Sequence, residues 1–165
     1  MFSFYSELVS MRPRVYIETS IPSYLTARRS RDLVATANQE ITQEWWDTRK
    51  DDFYLVISEF VVREASAGDP NAASNRLAAI AGIPELNVTD EVGELARILI
   101  EQIPIPAKAQ LEAFHIAIAS VHGIDYLLTW NCTHINNAEL RPRIEAICRS
   151  QGFEPPIICT PQELL

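Results

Sequence analysis

The 165-residue sequence has few cysteines, few glycines and no long hydrophobic run, and each shortage excludes a class of protein. The three cysteines, Cys132, Cys148 and Cys159, form no CxxC pair, so neither a disulfide framework nor a zinc site is predicted and the expected location is the reducing cytosol. All five glycines are isolated, and the absence of GxGxxG and GxxxxGKS/T motifs argues against a nucleotide-binding or redox α/β protein. No apolar run approaches the roughly 20 residues of a membrane-spanning helix, so no membrane association is expected.

Basic residues are also scarce, with 14 Lys and Arg against 22 Asp and Glu, for a formal net charge of -8. Such a balance argues against a protein that holds nucleic acid by broad electrostatic attraction, so any contact with RNA would have to be local. An acidic surface suits ordinary solubility, and it also suits metal binding or pairing with a basic partner protein.

Short β-branched and apolar runs alternate with helical patterns along the whole chain. The predicted strands cover 14–18, 53–58, 86–89, 125–129 and 156–160. A long helix is predicted from an N-cap at Ser30 to about Asp47, whereas Thr19, Ser20 and Pro22 predict a break after the first strand. Further helices are expected after Ser58, from an N-cap at Asp69, from Thr89, over 108–122 and over 138–149. One domain over 14–165 accounts for this pattern, preceded by an arm or start-site extension over 1–13.

Alternating strands and helices predict right-handed crossovers and an α/β fold with a central, mostly parallel sheet of four to five strands flanked by helices. In such folds the carboxyl ends of the strands meet along one edge, where ligands bind. Glu18 ends the first strand, Glu64 and Glu112 lie early in helices that begin at this edge, and Asn131 follows the fourth strand. We therefore expect these four side chains to converge.

Three converging carboxylates would repel one another unless a cation neutralised them, and their hard oxygens are the ligands that Mg²⁺ and Mn²⁺ prefer. A bound ion of this kind makes hydroxide from water and stabilises charge on a phosphate. The reaction class that this constellation predicts is phosphodiester hydrolysis.

The segments YIETSIPSYL, SEFVVREAS, LEAFHIAIA and LLTWNCTHINN occur in the order and spacing of the PIN domain. The chain resembles this family over nearly its whole length, and within it the VapC-type toxin ribonucleases and their uncharacterised bacterial relatives. The resemblance implies a PIN-like fold, Mg²⁺- or Mn²⁺-dependent cleavage of RNA, a cognate antitoxin as partner and a homodimer.

Residue by residue, the resemblance implies that Glu18, Glu64 and Glu112 hold the metal, with Glu standing at the first and third positions where Asp is commoner. Asn131 occupies the place of a fourth acid, and Ser20 and Thr129 support the site by hydrogen bonding. Because Asn131 lacks a charge, a second metal would be held weakly or not at all. The alternative function is a catalytically impaired PIN-like protein that binds RNA or a partner protein.

Several further residues have two interpretations each. His115 is expected to be a hydrogen-bonded core residue, and His122 to interact with a helix C-terminus. The candidate RNA contacts are Arg28, Arg29, Arg31, Trp130 and His134. The three arginines either contact phosphates, flank a helix start in solvent or receive an acidic antitoxin tail. Trp130 either stacks on a base or packs in a core or dimer interface, and His134 either touches RNA or braces its loop. Trp45 and Trp46 suit a core or a dimer interface.

Overall fold

The computed structural model describes residues 12–165. Within them, five short parallel strands form one central sheet. The strands are β1 (Arg14–Ile17), β2 (Tyr54–Ser58), β3 (Glu85–Leu86), β4 (Tyr126–Leu128) and β5 (Ile157–Cys159). Their order across the sheet is β3-β2-β1-β4-β5, and every neighbouring pair is parallel. The predicted α/β fold is confirmed, and the sheet is parallel throughout.

Seven α-helices connect the strands within the described residues. They are α1 (Ser20–Thr26), α2 (Leu33–Thr48), α3 (Glu59–Ala65), α4 (Pro70–Ile80), α5 (Asp90–Gln102), α6 (Gln110–Val121) and α7 (Arg141–Ser150). Short 3-10 helices cover Lys50–Asp52, Ala107–Ala109 and Pro161–Leu164. Helix α1 packs against α2 and α4, whereas α5 packs against α6 and α7. None of the helices in residues 12–165 has both the length and the apolar character needed to cross a membrane.

Strand β1 occupies the centre of the sheet and is completely buried along most of its length. Val15, Tyr16 and Ile17 are all 0% exposed. Val15 pairs with Leu55 of β2 on one side and with Tyr126 of β4 on the other. Parallel strands covered on both faces are built from such continuous runs of β-branched and aromatic residues. The residue that follows β1 therefore emerges at the middle of the sheet's carboxyl edge.

Strand β1 ends before Thr19, as predicted, but the helix α1 that follows it was not predicted. Pro22 is the third residue of α1, within the first turn, where a backbone N–H has no partner inside the helix and proline therefore removes nothing. Ile21 is 0% exposed, so packing of this short helix on the core supplies the stability that its sequence lacks. The third strand is also shorter than predicted, and α7 begins at Arg141 instead of residue 138.

The helix starts show one predicted cap in place and one shifted. The Asp69 side chain accepts a hydrogen bond from Ala72 N at 2.9 Å, as expected for the N-cap of α4. The N-cap of α2 is Asp32, which accepts from Ala35 N at 2.8 Å, and Ser30 instead accepts from Asp32 N. The predicted arm over 1–13 lies outside the described residues except for its last two.

Trp45 and its neighbour Trp46 differ in their burial. Trp45 is 0% exposed and stacks on Phe53 with ring centroids 5.8 Å apart. Of the two interpretations of Trp45, a core residue or a dimer-interface residue, the core is therefore confirmed. Trp46 is partly buried and packs against the same core.

Candidate functional site

The first acidic residue of the site, Glu18, follows β1 directly, and three hydrogen bonds hold its carboxylate in place. It is 5% exposed, and its backbone N donates to Leu128 O at 3.1 Å, which continues the pairing of β1 with β4. Its Oε2 accepts from Ser20 N at 3.1 Å, from Ser20 Oγ at 2.5 Å and from Thr129 Oγ1 at 2.7 Å. Its Oε1 receives no hydrogen bond from any of the residues 12–165. Ser20 and Thr129 thus hold one oxygen of the carboxylate and leave the other without a hydrogen bond from the described part of the chain.

Glu64 lies in α3 and is held through one oxygen in the same way. Its Oε1 accepts from Thr19 Oγ1 at 2.8 Å and lies 2.6 Å from His115 Nε2. Burial raises the pKa of Glu64. The hydrogen bond from His115, the charge of His115 and the hydrogen bond from Thr19 lower the pKa by more, so it lies below its ordinary value. Thr19 occupies the N-cap position of α1 yet makes no capping bond there, because its hydroxyl is directed to Glu64.

Glu112 lies in the first turn of α6 and has one satisfied oxygen and one orphaned oxygen. Its Oε1 accepts from Asn131 Nδ2 at 2.8 Å, whereas its Oε2 is buried and lacks a partner among the described residues. Burial raises the pKa of this carboxyl, the Asn131 bond and the nearby His134 offset part of the rise, and the charge of Glu18 adds to it. A buried carboxylate oxygen without a partner is costly unless a cation or another donor meets it.

Asn131 is held at both ends of its amide. Its Oδ1 accepts from the backbone N of His134 at 3.1 Å. Because a backbone N–H can only donate, the atom facing it must be the amide oxygen, and the amide nitrogen therefore faces Glu112. Asn131 N in turn donates to Thr129 Oγ1 at 2.9 Å. In this arrangement the amide orients Glu112 and directs no free oxygen toward the site.

His115 enters the site from the core, a contact that the sequence interpretation missed. It is 1% exposed, and its Nδ1 lies 2.7 Å from the Tyr16 hydroxyl, so the prediction of a hydrogen-bonded core histidine is confirmed. Its other nitrogen nevertheless reaches Glu64. Tyr16 is fully buried, which together with the nearby charges of Glu18 and Glu64 raises its pKa although a hydrogen bond with Ser58 lowers it. The spacing of Glu112 and His115, one turn apart on α6, was the signal available in the sequence.

The acidic side chains converge, although not all to the same degree. Ligand atoms of Glu18, Glu64 and His115 all lie within 4.8 Å of one another. Glu112 lies outside this group, but the charge of Glu18 is close enough to raise its pKa. Each of the three carboxylates has one oxygen held by hydroxyl, imidazole or amide groups, and the remaining oxygens are hard donors of the kind that divalent Mg²⁺ or Mn²⁺ takes. The residues present therefore fit such an ion.

The candidate RNA contacts lie in different environments. Arg28, Arg29 and Arg31 are exposed on the loop between α1 and α2, and Arg29 pairs with Glu40 at 3.0 Å. Arg28 also borders a polar cleft between α1 and α4. The side chain of His134 is close enough to Glu112 to influence its pKa.

Trp130 is partly buried and is fixed by two neighbours from the first two helices. Its Nε1 donates to Thr42 Oγ1 at 2.8 Å, and its ring packs at 6.0 Å from that of Tyr24. His122 Nε2 lies 2.7 Å from Asn87 O, at the C-terminal end of α6 where it was expected. Both side chains have structural partners, and the partly buried Trp130 ring borders the loop that carries Asn131.

The sheet order, the all-parallel pairing and the acid-lined carboxyl edge give the chain a PIN-like α/β fold, which confirms the fold that the sequence motifs predicted. Among solved structures, the chain is similar to the crystal structure of Mycobacterium tuberculosis VapC20, described as a sarcin-ricin loop cleaving toxin. The TM-score is 0.55 at 15% sequence identity, and the match covers 72% of this chain and 91% of that one. At this identity the likeness shows the fold. No family model matches the chain, and no curated protein matches it.

Proposed function

We propose that this chain is a metal-dependent endoribonuclease in which Glu18, Glu64 and Glu112 together hold one Mg²⁺ or Mn²⁺. The observation that carries the proposal is the buried Oε2 of Glu112, which has no partner in residues 12–165 and lies near enough to Glu18 for that charge to raise the pKa of Glu112. Glu18 and Glu64 in turn have ligand atoms within 4.8 Å of each other. Three acids in such proximity are costly without a cation, because each ionised carboxylate disfavours the ionisation of the others.

The surrounding side chains prepare these acids for catalysis. Ser20 and Thr129 orient Glu18, and Asn131 orients Glu112. When bound, the divalent cation supplies a more acidic water and neutralises charge on the scissile phosphate. Groups held by hydrogen bonds before substrate arrives need not reorganise during the reaction, which is how preorganised sites lower a barrier.

RNA is the proposed substrate, with Arg28, Arg29, Arg31, Trp130 and His134 as contacts near the metal. The formal charge of -8 favours a few local phosphate contacts over a broad basic surface. The fold likeness to a toxin that cleaves the sarcin-ricin loop supports RNA as substrate. It also supports a toxin role. A cognate antitoxin and a homodimer, which the family resemblance implies, are further parts of the proposal. The three free thiols fit a cytosolic place of action.

The test is cleavage of a panel of structured RNAs with Mn²⁺ or with EDTA. We expect cleavage in Mn²⁺ that EDTA abolishes and that Glu18→Gln lowers by at least about 100-fold, since a residue that holds the catalytic cation is removed. Glu44→Gln, the same substitution at an exposed position of α2, serves as the matched control and should cleave at the wild-type rate. Metal-independent cleavage, or equal rates for the two variants, would contradict the proposal.

A catalytically impaired protein that binds RNA or a partner protein is the second candidate. The observation that favours it is Asn131, whose amide stands where the resembled family has an acid and whose oxygen is occupied by His134 N. In the same assay this function predicts RNA binding that Glu18→Gln leaves unchanged, without cleavage in either Mg²⁺ or Mn²⁺.

A further inference from the structure

A continuous line of buried hydrogen bonds leads from β2 through β1 and α6 to the acid in α3. The Ser58 Oγ lies 2.6 Å from the Tyr16 hydroxyl, that hydroxyl lies 2.7 Å from His115 Nδ1, and His115 Nε2 lies 2.6 Å from Glu64 Oε1. Ser58, Tyr16 and His115 are at most 1% exposed. Solvent therefore does not compete for these protons, and the donors and acceptors must satisfy one another.

The direction of each hydrogen bond follows from counting the protons. Ser58 occupies the N-cap position of α3 but makes no capping bond, and the Tyr16 hydroxyl is its one side-chain partner among the described residues. The serine proton therefore goes to the Tyr16 oxygen. A tyrosine phenol keeps its own proton at neutral pH, and the remaining acceptor for that proton is His115 Nδ1.

This order determines the tautomer of His115. A ring whose Nδ1 accepts a hydrogen bond carries its proton on Nε2, and that proton points at Glu64 Oε1. The opposite direction would require Nδ1 to donate to Tyr16, Tyr16 to donate to Ser58, and the buried Ser58 proton to remain without an acceptor. The first arrangement satisfies every proton, and it leaves neither ring nitrogen with a lone pair directed at the carboxylates.

We propose that His115 is a positioning residue for Glu64 and not a metal ligand, although a ring nitrogen of His115 lies within 4.8 Å of carboxylate oxygens of Glu18 and Glu64. The Nε2–H holds Glu64 Oε1, so that Oε2 is presented to the cation, and the Ser58 and Tyr16 hydroxyls maintain the required tautomer. This inference rests on the proposed function, because it assigns a role at the same metal site. Hydrogen bonds to metal-binding groups of this kind commonly change metal affinity by about 10- to 100-fold.

The first experiment identifies the atoms that coordinate the bound ion. Electron spin echo envelope modulation of Mn²⁺ bound to the wild-type protein should show no directly coordinated nitrogen. A nitrogen coupling that disappears in His115→Gln would overturn the inference alone, whereas a wild-type protein that binds no Mn²⁺ overturns the proposed function and this inference with it. In the metal-free protein, nitrogen NMR of the imidazole rings should find the proton of His115 on Nε2, and a proton on Nδ1 would overturn the inference independently of metal.

The second experiment compares two substitutions at His115 by Mn²⁺ titration. The glutamine side-chain amide can occupy the place of Nε2–H and donate to Glu64, whereas leucine fills the same space without a donor. We expect His115→Leu to weaken Mn²⁺ binding by about 10- to 100-fold and His115→Gln to recover most of that loss. Thermal unfolding in EDTA checks that both variants fold. If His115→Leu does not fold, the NMR measurement of the His115 tautomer in the wild type tests the inference instead. Equal losses in the two folded variants would overturn the inference.

Discussion

Replacing Glu18 by glutamine should remove the metal-dependent part of the protein's stability and leave the fold intact. The Oε2 of Glu18 accepts three hydrogen bonds, and the oxygen of a glutamine amide can accept the same three. Each bond to a neutral acceptor is weaker than a bond to a charged one by about 1 kcal/mol, so the three together lose roughly 3 kcal/mol. Against this loss, removing a buried charge relieves the repulsion of Glu64 and Glu112. The two effects oppose each other, so without metal we expect a change of at most about 1–2 kcal/mol.

In the presence of Mn²⁺ the difference should become large. A ligand at 100 times its dissociation constant stabilises the folded state by about 2.7 kcal/mol. For a domain of this length each kcal/mol raises the midpoint of thermal unfolding by about 2–4 °C, which predicts a gain of roughly 5–11 °C for the wild type. Glu18→Gln removes one of three charged ligands and should gain little at the same Mn²⁺ concentration.

The assay is calorimetric unfolding in EDTA and across a Mn²⁺ titration, with Glu44→Gln as the matched control. The control should follow the wild-type curve, because Glu44 is exposed on α2. A Glu18→Gln protein that gains as much from Mn²⁺ as the wild type would refute the reasoning, since the ion would then bind elsewhere. The measurement needs no RNA, so it tests the metal site separately from nuclease activity.

Three further predictions concern pH and backbone conformation. Because burial raises the pKa of Glu112 in the folded state, its contribution to stability is present at low pH and is lost as pH rises through that pKa. Glu112→Gln does not titrate, so in EDTA its free energy of unfolding should rise relative to wild type between about pH 4 and 7, measured by urea denaturation. Gly123→Ala, at φ +61°, should destabilise by about 1–2 kcal/mol in the same assay. Gly93→Ala, inside α5 with open space around an added Cβ, should instead stabilise by about 1 kcal/mol.

Much of the fold could be predicted because its signals are local. Strands β1, β2 and β4 lie within the segments predicted for them, since short buried strands of a parallel sheet are continuous apolar runs with clear turn residues at their ends. Helix α1 could not be predicted, because Ser20 and Pro22 favour a turn locally and the burial of Ile21 comes only from packing against other helices. The position of Glu18 at the sheet edge followed from the topology rule alone.

The partners of the acids could not be predicted from the same patterns. Thr129 lies 111 residues from Glu18 in the sequence, and His115 lies 51 residues from Glu64. No periodicity encodes a hydrogen bond across such separations, because its geometry depends on how the strands and helices pack. For the same reason, the sequence placed Asn131 at the site but did not show that its amide nitrogen faces Glu112.

What the amino-acid sequence determined by itself was the alternation of strands and helices and, through the handedness of parallel crossovers, the edge at which the acidic residues gather. Only the tertiary structure decided which oxygen of each carboxylate is held by hydrogen bonds. It also decided that a core histidine, oriented by Tyr16, reaches Glu64. The physical reason is that side-chain chemistry and chain topology are local or rule-bound properties, whereas ångström-scale contacts arise only when distant segments pack into one core.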